Sequence, residues 1–369
     1  MFSICDLMPM GWLQAILLGL LQGLTEFLPV SSTAHMAVVP QLFHQRDPGA
    51  AFSAIAQLGP IFAIIWFFRA ELIRYVRGII RTKLPTNVAK DDLDARLGWY
   101  TLLGSLPIVV FALLLEKRID REFRSLNVIA FSMIALALVL WLAEWIGRRK
   151  VSLDKMTLQQ SQGIGWAQVF GLVPGASRSG STIAAGLLLG LDRESAARFS
   201  FLLGIPAITA AGLYKLYKVA KATDLSGPIG PYLLAMVVAG LFAYVVIKWF
   251  LGFMKTHDTR IFIAYRIVFG VAILWLLHVG AIKKDIPQSE DTPNSAPNAR
   301  LGTPVSQSGR PNPSTSPTKG IATRPLATSP ARRRPAPPTS RKYDSVTSLL
   351  PTNREVALAS PELAAMPAP

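Results

Sequence analysis

Two short apolar segments, each broken by a proline and loaded with serine and a charge, constrain this chain more than any other feature. The first reads QGLTEFLPVSSTAH from Gln22 to His35, and the second reads GLVPGASRSGST from Gly171 to Thr182. Around them lie uncharged apolar runs at about 50–68, 99–115, 126–143, 199–214 and 229–247, and a run at 261–279 interrupted by Arg266. Those six runs are long enough to cross a bilayer, and 51% hydrophobic residues with a mean hydropathy of +0.38 exclude an ordinary soluble domain of this size. Glu26, His35 and Arg178 are costly in such surroundings unless they face a shared polar cavity, so an intramembrane site is the expectation.

Three shorter stretches, 10–25, 164–175 and 179–191, carry Gly, Pro, Ser or a nearby charge and suit re-entrant helices better than full crossings. The stretch from about 31 to 43 completes the first pair. The N-terminal run has no Lys or Arg before it and is closed by Glu26, unlike a cleaved signal peptide. With Cys5 as the single cysteine, a disulfide framework and a cysteine metal site are both unavailable. The net charge of +16 is spread through loops and a tail rather than gathered on a folded face, so no nucleic-acid partner is expected.

The segments echo each other beyond their prolines. FSAIAQLGPIFAII follows the first and FSFLLGIPAITAAG the second; Pro29 to Pro174 and Gly59 to Gly204 share an offset of 145. The predicted architecture is an all-α integral membrane protein with six transmembrane helices and two re-entrant helical hairpins. Its two units, about 8–146 and 160–282, each contain a hairpin and three crossings. An odd number of crossings turns the second unit upside down, giving an inverted-topology repeat whose hairpins meet near the midplane. The membrane-embedded catalytic domain is thus 1–282; 283–369, rich in Pro, Ser and Arg, cannot bury enough apolar surface to fold alone.

Arginine and lysine set the orientation. Arg69, Arg74, Arg77, Arg81, Lys83, Lys90 and Arg96 in one loop, and Arg148, Arg149, Lys150 and Lys155 in another, are expected on the cytoplasmic side. The less basic loops Lys117 to Arg124 and Lys215 to Lys221, the N-terminus and the tail then lie outside.

In each hairpin the serines after the proline are plausible N-caps, Ser31 or Ser32 and Ser177 or Ser179, and two helix N-termini pointed at one spot form an anion site. Arg178 adds a planar fork for phosphate, its alternative being a buried ion pair with Glu26. Ser177, Ser179 and Thr182 can donate to phosphate oxygens or simply cap and pack. Gln22 and Glu26, one turn apart, can supply hard oxygen ligands to Mg²⁺ or Ca²⁺. His35, three residues after Ser32, suits a serine nucleophile with a histidine base or a histidine acid. Arg266 is expected to pair with a carboxylate such as Glu144, and Gly59, Pro60, Gly204 and Pro206 to permit close packing or kinks.

At these residues the chain resembles the undecaprenyl-diphosphate phosphatase family, the bacitracin-resistance proteins, over about 8–282. QGLTEFLPVSSTAH is similar to the family's [E/Q]GxTEFLPVSSSGH signature and PGASRSGST to its PGxSRSGxT signature, in the same order and separation. Gln22 stands where many members have Glu, and Thr33-Ala34 replaces Ser-Gly. The resemblance implies hydrolysis of undecaprenyl diphosphate to undecaprenyl phosphate and phosphate, recycling the lipid carrier of peptidoglycan synthesis. It implies a multi-pass enzyme of the bacterial plasma membrane with its site open to the periplasm, using Mg²⁺ or Ca²⁺ held by Glu26 and Gln22. Glu26, Ser32, His35 and Arg178 would be catalytic, and Ser31, Ser177, Ser179 and Thr182 would bind phosphate. Attack by Ser32 and attack by water both stay open, and a homodimer is compatible with the chain. The alternative from another class is a lipid flippase or secondary transporter built on the same inverted repeat.

Overall fold

The computed structural model describes residues 11–43, 49–89, 91–122, 125–222 and 229–284. Lys90, the side chains of Lys117 to Arg124 and the tail beyond 284 fall outside the described residues, so the expectations placed on them are not addressed. The described residues belong to one compact unit. They form helices α1 (Trp12–Thr25), α2 (Ser32–Leu42), α3 (Gly49–Phe67), α4 (Arg69–Thr82), α5 (Leu93–Glu122), α6 (Leu126–Ile146), α7 (Leu158–Gln168), α8 (Arg178–Leu188), α9 (Arg193–Ala222), α10 (Ile229–Thr256) and α11 (Arg260–His278). No strand occurs among them; a lone bridge joins Val151 to Leu191.

Five helices, α5, α6, α9, α10 and α11, are long and apolar enough to cross a membrane. The sixth expected crossing, at 50–68, is α3, which continues into α4 only through a 74° bend. The bend has a chemical cause: α4 carries Arg69, Arg74, Arg77 and Arg81, which cannot follow α3 through hydrocarbon. Arg69 instead folds back on Trp66, with its guanidinium 4.6 Å from the ring centroid, while Tyr75 and Gly78 bury against α5. Helices α1, α2, α7 and α8, of 14, 11, 11 and 11 residues, span only about 16–21 Å. They are too short for a crossing of about 30 Å.

Small residues let these short helices dock closely. Gly19 and Gly23 of α1 lie against the backbone of α10 at Ala235 and Ala239, and Gly165 of α7 lies against Gly104 of α5. Ser161 of α7 donates to the Tyr100 carbonyl of α5 at 2.8 Å. Each short first helix thus packs on a long helix from the other half of the chain.

Charge gathers at one end of the bundle. There Glu71 pairs with Arg198, Arg74 with Asp94 (3.2 Å) and Lys255 with Glu194 (3.2 Å). Buried Glu144 accepts from Arg149 (2.7 Å), Arg193 and the Thr259 hydroxyl (2.9 Å). The expected pair of Arg266 with Glu144 is therefore not formed; Glu144 sits at the end of α6 and is saturated by loop and helix-start residues. A charged cavity of about 630 Å³, lined by Arg74, Arg149, Arg198 and Asp154 among others, occupies this end. None of Gln22, Glu26, Ser32 and Arg178 lines it. At the opposite end the chain after α11 meets α2 and α6: the Lys283 N–H donates to Gln41 Oε1 (2.9 Å) and the Leu126 N–H to the Lys284 carbonyl (2.9 Å).

Candidate active site

Pro29 and Pro174 lie in the breaks after α1 and α7, and the serines that follow lead into new helices. Ser31 (φ 71°) precedes α2 and Ser177 (φ 68°) precedes α8, both in the left-handed region that non-glycine residues rarely adopt. Ser177 caps α8 by accepting from the Gly180 N–H at 3.2 Å and shares a hydrogen bond with Ser179 (3.1 Å). Ser31 makes no cap bond and shares a hydrogen bond with Thr33 (3.0 Å). The hairpins then cross-link reciprocally: the Gly175 N–H donates to Thr33 Oγ1 (3.2 Å), and Ser179 Oγ donates to the Leu28 carbonyl (2.9 Å).

Glu26, at the end of α1, is the acceptor around which the polar groups converge. Its Oε2 accepts from Ser32 Oγ at 2.8 Å and from Gln22 Nε2 at 3.1 Å. Its Oε1 has longer neighbours, Gln57 Nε2 at 3.4 Å and Arg178 Nη2 at 3.9 Å. The carboxylate and the guanidinium are 8% and 10% exposed, yet both Nη atoms of Arg178 lack a hydrogen-bond partner. An ion pair at 3.9 Å without a hydrogen bond leaves the fork of Arg178 free, at a cost that a bound anion would remove. Glycine makes the space: a Cβ on Gly204 of α9 would overlap Arg178 Nη1, and one on Gly171 would crowd the Arg178 backbone.

His35 is buried one turn into α2. Its Nδ1 lies 2.7 Å from the Ser31 carbonyl, and since a carbonyl can only accept, Nδ1 carries the proton there. Its Nε2 faces the Tyr265 hydroxyl at 2.5 Å, and the ring stacks on Phe269 at 4.6 Å. Both ring nitrogens are thus taken by groups other than Ser32, whose own hydrogen bond goes to Glu26. Thr182 is fully buried; its hydroxyl lies between the Arg178 carbonyl (2.9 Å) and Ser200 of α9 (2.6 Å), tying α8 to α9.

Arg266 enters from α11. Fully buried, it donates through Nε to the Met133 carbonyl (3.2 Å), through Nη1 to Pro29 (3.1 Å), and through Nη2 to Gly175 (3.0 Å) and Ala176 (3.1 Å). The fold brings Gln22, Glu26, Ser32 and Arg178 together, sets Ser31 and Ser177 in the turns beside them and Ser179 in the first turn of α8, and turns His35 and Thr182 to neighbouring helices. Gln57 and Tyr265 were not anticipated. Gln57 is detectable as a lone amide in an otherwise apolar span, whereas Tyr265 has no signal beyond adjacency to Arg266.

Among the described residues no three His, Cys, Asp or Glu side chains converge as a metal cluster. The local donors are the single carboxylate of Glu26 with the amides of Gln22 and Gln57 and the hydroxyl of Ser32. Hard oxygens with one carboxylate fit Mg²⁺, which keeps waters and takes substrate phosphate oxygens, better than Ca²⁺ with its 6–8 ligands.

The model of the family described as bacitracin resistance protein BacA matches residues 15–272. The undecaprenyl-diphosphatase of Pseudarthrobacter chlorophenolicus is 45% identical over 276 residues, covering 74% of this chain and 99% of that protein. Those of Trichormus variabilis and Chloroherpeton thalassium are 46% and 44% identical, each over 74% of this chain and over 86% and 99% of their own lengths. A family model that matches residues 15–272, with relatives 44–46% identical over 86–99% of their own lengths, means that the chain belongs to the bacitracin resistance protein BacA family.

Proposed function

We infer that this protein is an undecaprenyl-diphosphatase: it hydrolyses undecaprenyl diphosphate to undecaprenyl phosphate and inorganic phosphate, returning the lipid carrier to cell-wall synthesis and conferring bacitracin resistance. The observation that carries this reading is the buried guanidinium of Arg178, with both Nη atoms unpartnered, opposite the Ser32–Glu26 hydrogen bond. A diphosphate supplies the acceptors Arg178 lacks.

The residues divide the work as follows. Arg178 and the N-terminal N–H groups of α8 and α2, with the hydroxyls of Ser31 and Ser177 beside them, hold the diphosphate and stabilise charge on its equatorial oxygens, while Ser179, which donates to the Leu28 carbonyl, ties the two hairpins together. Ser32 Oγ attacks the terminal phosphorus while Glu26 Oε2 takes its proton. The phosphoanhydride bond breaks, and undecaprenyl phosphate leaves with the bonding electrons. Glu26 passes that proton to the departing phosphate oxygen and is a carboxylate again; it then takes a proton from the water that attacks the phosphoserine and hands it to the departing Ser32 Oγ, restoring Ser32. In the direct variant, water replaces Ser32 as the nucleophile and Glu26 keeps its role. His35 holds the Ser31 turn and Tyr265 in register, and Thr182 holds α8 on α9. Glu26, Gln22 and Gln57 would hold Mg²⁺, which when bound neutralises charge on the phosphoryl group.

The two halves form an inverted repeat. Support comes from the exchange of partners, α1 on α10 and α7 on α5, and from the left-handed serines that begin α2 and α8. The arginine-rich end is cytoplasmic by the positive-inside rule. The site opens toward the periplasmic side and the lipid tail leaves laterally between helices.

The test is phosphate release from a C15 or C55 isoprenyl diphosphate by purified protein in detergent, with and without EDTA, beside Glu26→Ala and Arg178→Ala. Release that needs both residues supports the assignment. No release by folded, metal-supplied wild type refutes it and leaves a carrier of the same lipid as the reading.

A further inference from the structure

Two arginines lie buried near the hairpins and they are bonded in opposite ways. Arg178 has neither Nη atom hydrogen-bonded, whereas Arg266 has every nitrogen of its fork donated to a backbone carbonyl. No carboxylate among the described residues pairs with Arg266, so its charge is not what selected the position of its partners. What distinguishes those partners is where they come from: Pro29 belongs to the first turn, Gly175 and Ala176 to the second, and Met133 to α6. The second turn has a further hold: Ser132 Oγ, adjacent to Met133 on α6, donates to the Pro174 carbonyl at 2.5 Å.

We propose that Arg266 is a positioning residue: its guanidinium brackets both hairpin turns and thereby sets the gap between Ser32 and Arg178, with Ser132 holding the second turn from α6. The rigid separation of Nη1 and Nη2 fixes how far apart the Pro29 and Gly175 carbonyls can be. Ser32 follows Pro29 by three residues, and Arg178 follows Gly175 by three, so each catalytic group hangs at the same short tether from one arm of the fork. A misplacement of about 1 Å in such a gap can lower the rate ~10²-fold without touching the reacting groups. Lysine retains the charge but is a single point donor and cannot bridge two turns. The inference rests on the phosphatase reading of the site.

The test measures kcat and KM for phosphate release from a C15 isoprenyl diphosphate by the full chain in detergent. For Arg266→Lys the expected result is a kcat about 100-fold lower with KM within about threefold of wild type. For Arg266→Gln, which also removes the buried charge that favours an anion, the same fall in kcat comes with a rise in KM. A lysine variant that keeps kcat within about threefold, or that changes KM alone, overturns the proposal. Should the Arg266 variants fail to fold, Ser132→Ala decides, because it frees the same turn and leaves Arg266 in place. It is expected to lower kcat ~10-fold at unchanged KM, and a kcat within twofold of wild type overturns the proposal. Wild type that releases no phosphate sinks the phosphatase reading and this inference with it; active wild type beside unchanged variants sinks the inference alone.

Discussion

Ser32 gives its hydroxyl hydrogen to Glu26 at 2.8 Å, across the break between α1 and α2. That bond makes the carboxylate the proton acceptor nearest the nucleophile and removes the need for a histidine base. Removing a positioned general base costs 10²–10⁴-fold, so Glu26→Gln and Ser32→Ala should each lower kcat by roughly that factor. Acid quenching after a single turnover with terminally ³²P-labelled substrate separates the two routes. Label held by wild type and lost in Ser32→Ala marks a phosphoserine, whereas no retained label assigns the attack to water.

His35 contributes through its two hydrogen bonds, to the Ser31 carbonyl and to Tyr265. Tyr265→Phe leaves Nε2 without its donor, a change that typically costs about 1–3 kcal/mol for a buried group. The expected outcome is a lower thermal midpoint in detergent with kcat reduced less than about tenfold. A fall in kcat as large as that of Glu26→Gln would place His35 and Tyr265 in the proton path instead.

Much of this was legible in the chain, because membrane insertion imposes simple rules. The five helices that cross by length and composition coincide with apolar runs, and the short Pro-broken segments became short helices, since backbone groups freed at Pro29 and Pro174 require partners. The approach of Glu26 and Arg178 followed from the cost of burying charge, whereas Ser32 was expected beside His35 and instead donates to Glu26. Local spacing misled elsewhere. Ser32 and His35 share a helical face by number, yet the Ser31 carbonyl takes Nδ1 and Tyr265 of α11 takes Nε2. The carboxylate expected for Arg266 was a reasonable guess from charge alone. The carbonyls that it binds come from segments 237, 133 and about 90 residues away and have no signature in sequence.

Gln22 stands next to Glu26 where a second carboxylate would add a charged ligand. Gln22→Glu should therefore lower the Mg²⁺ concentration needed for half-maximal phosphate release, roughly tenfold, and Gln22→Ala should raise it. Mg²⁺ titration of EDTA-stripped protein checks both. Identical curves for the three proteins would remove Gln22 from the ion's surroundings.

Glu144 holds Arg149, Arg193 and Thr259 at the charged end, whose cavity none of Gln22, Glu26, Ser32 and Arg178 lines. Glu144→Gln leaves two arginines short of their counter-charge. Both arginines are about a third exposed, so water replaces part of the loss and about 1–2 kcal/mol of stability is expected to go. Thermal denaturation should shift while kcat stays within about twofold; a large loss of kcat without a thermal shift would connect this end to catalysis.

Gly204 offers the sharpest separation of site from scaffold. A methyl group there would overlap the tip of the Arg178 side chain, and a flexible side chain moves more cheaply than a helix. Gly204→Ala should accordingly leave the thermal midpoint within a few degrees and displace the guanidinium from the position in which it meets phosphate. Loss of one preorganised charge donor costs about 10²–10³-fold in kcat, so Gly204→Ala should approach the defect of Arg178→Ala. Combining the two changes should add little, because the second removes a group the first has already displaced. Defects that multiply would mean that Gly204 acts on the active site by a route other than Arg178.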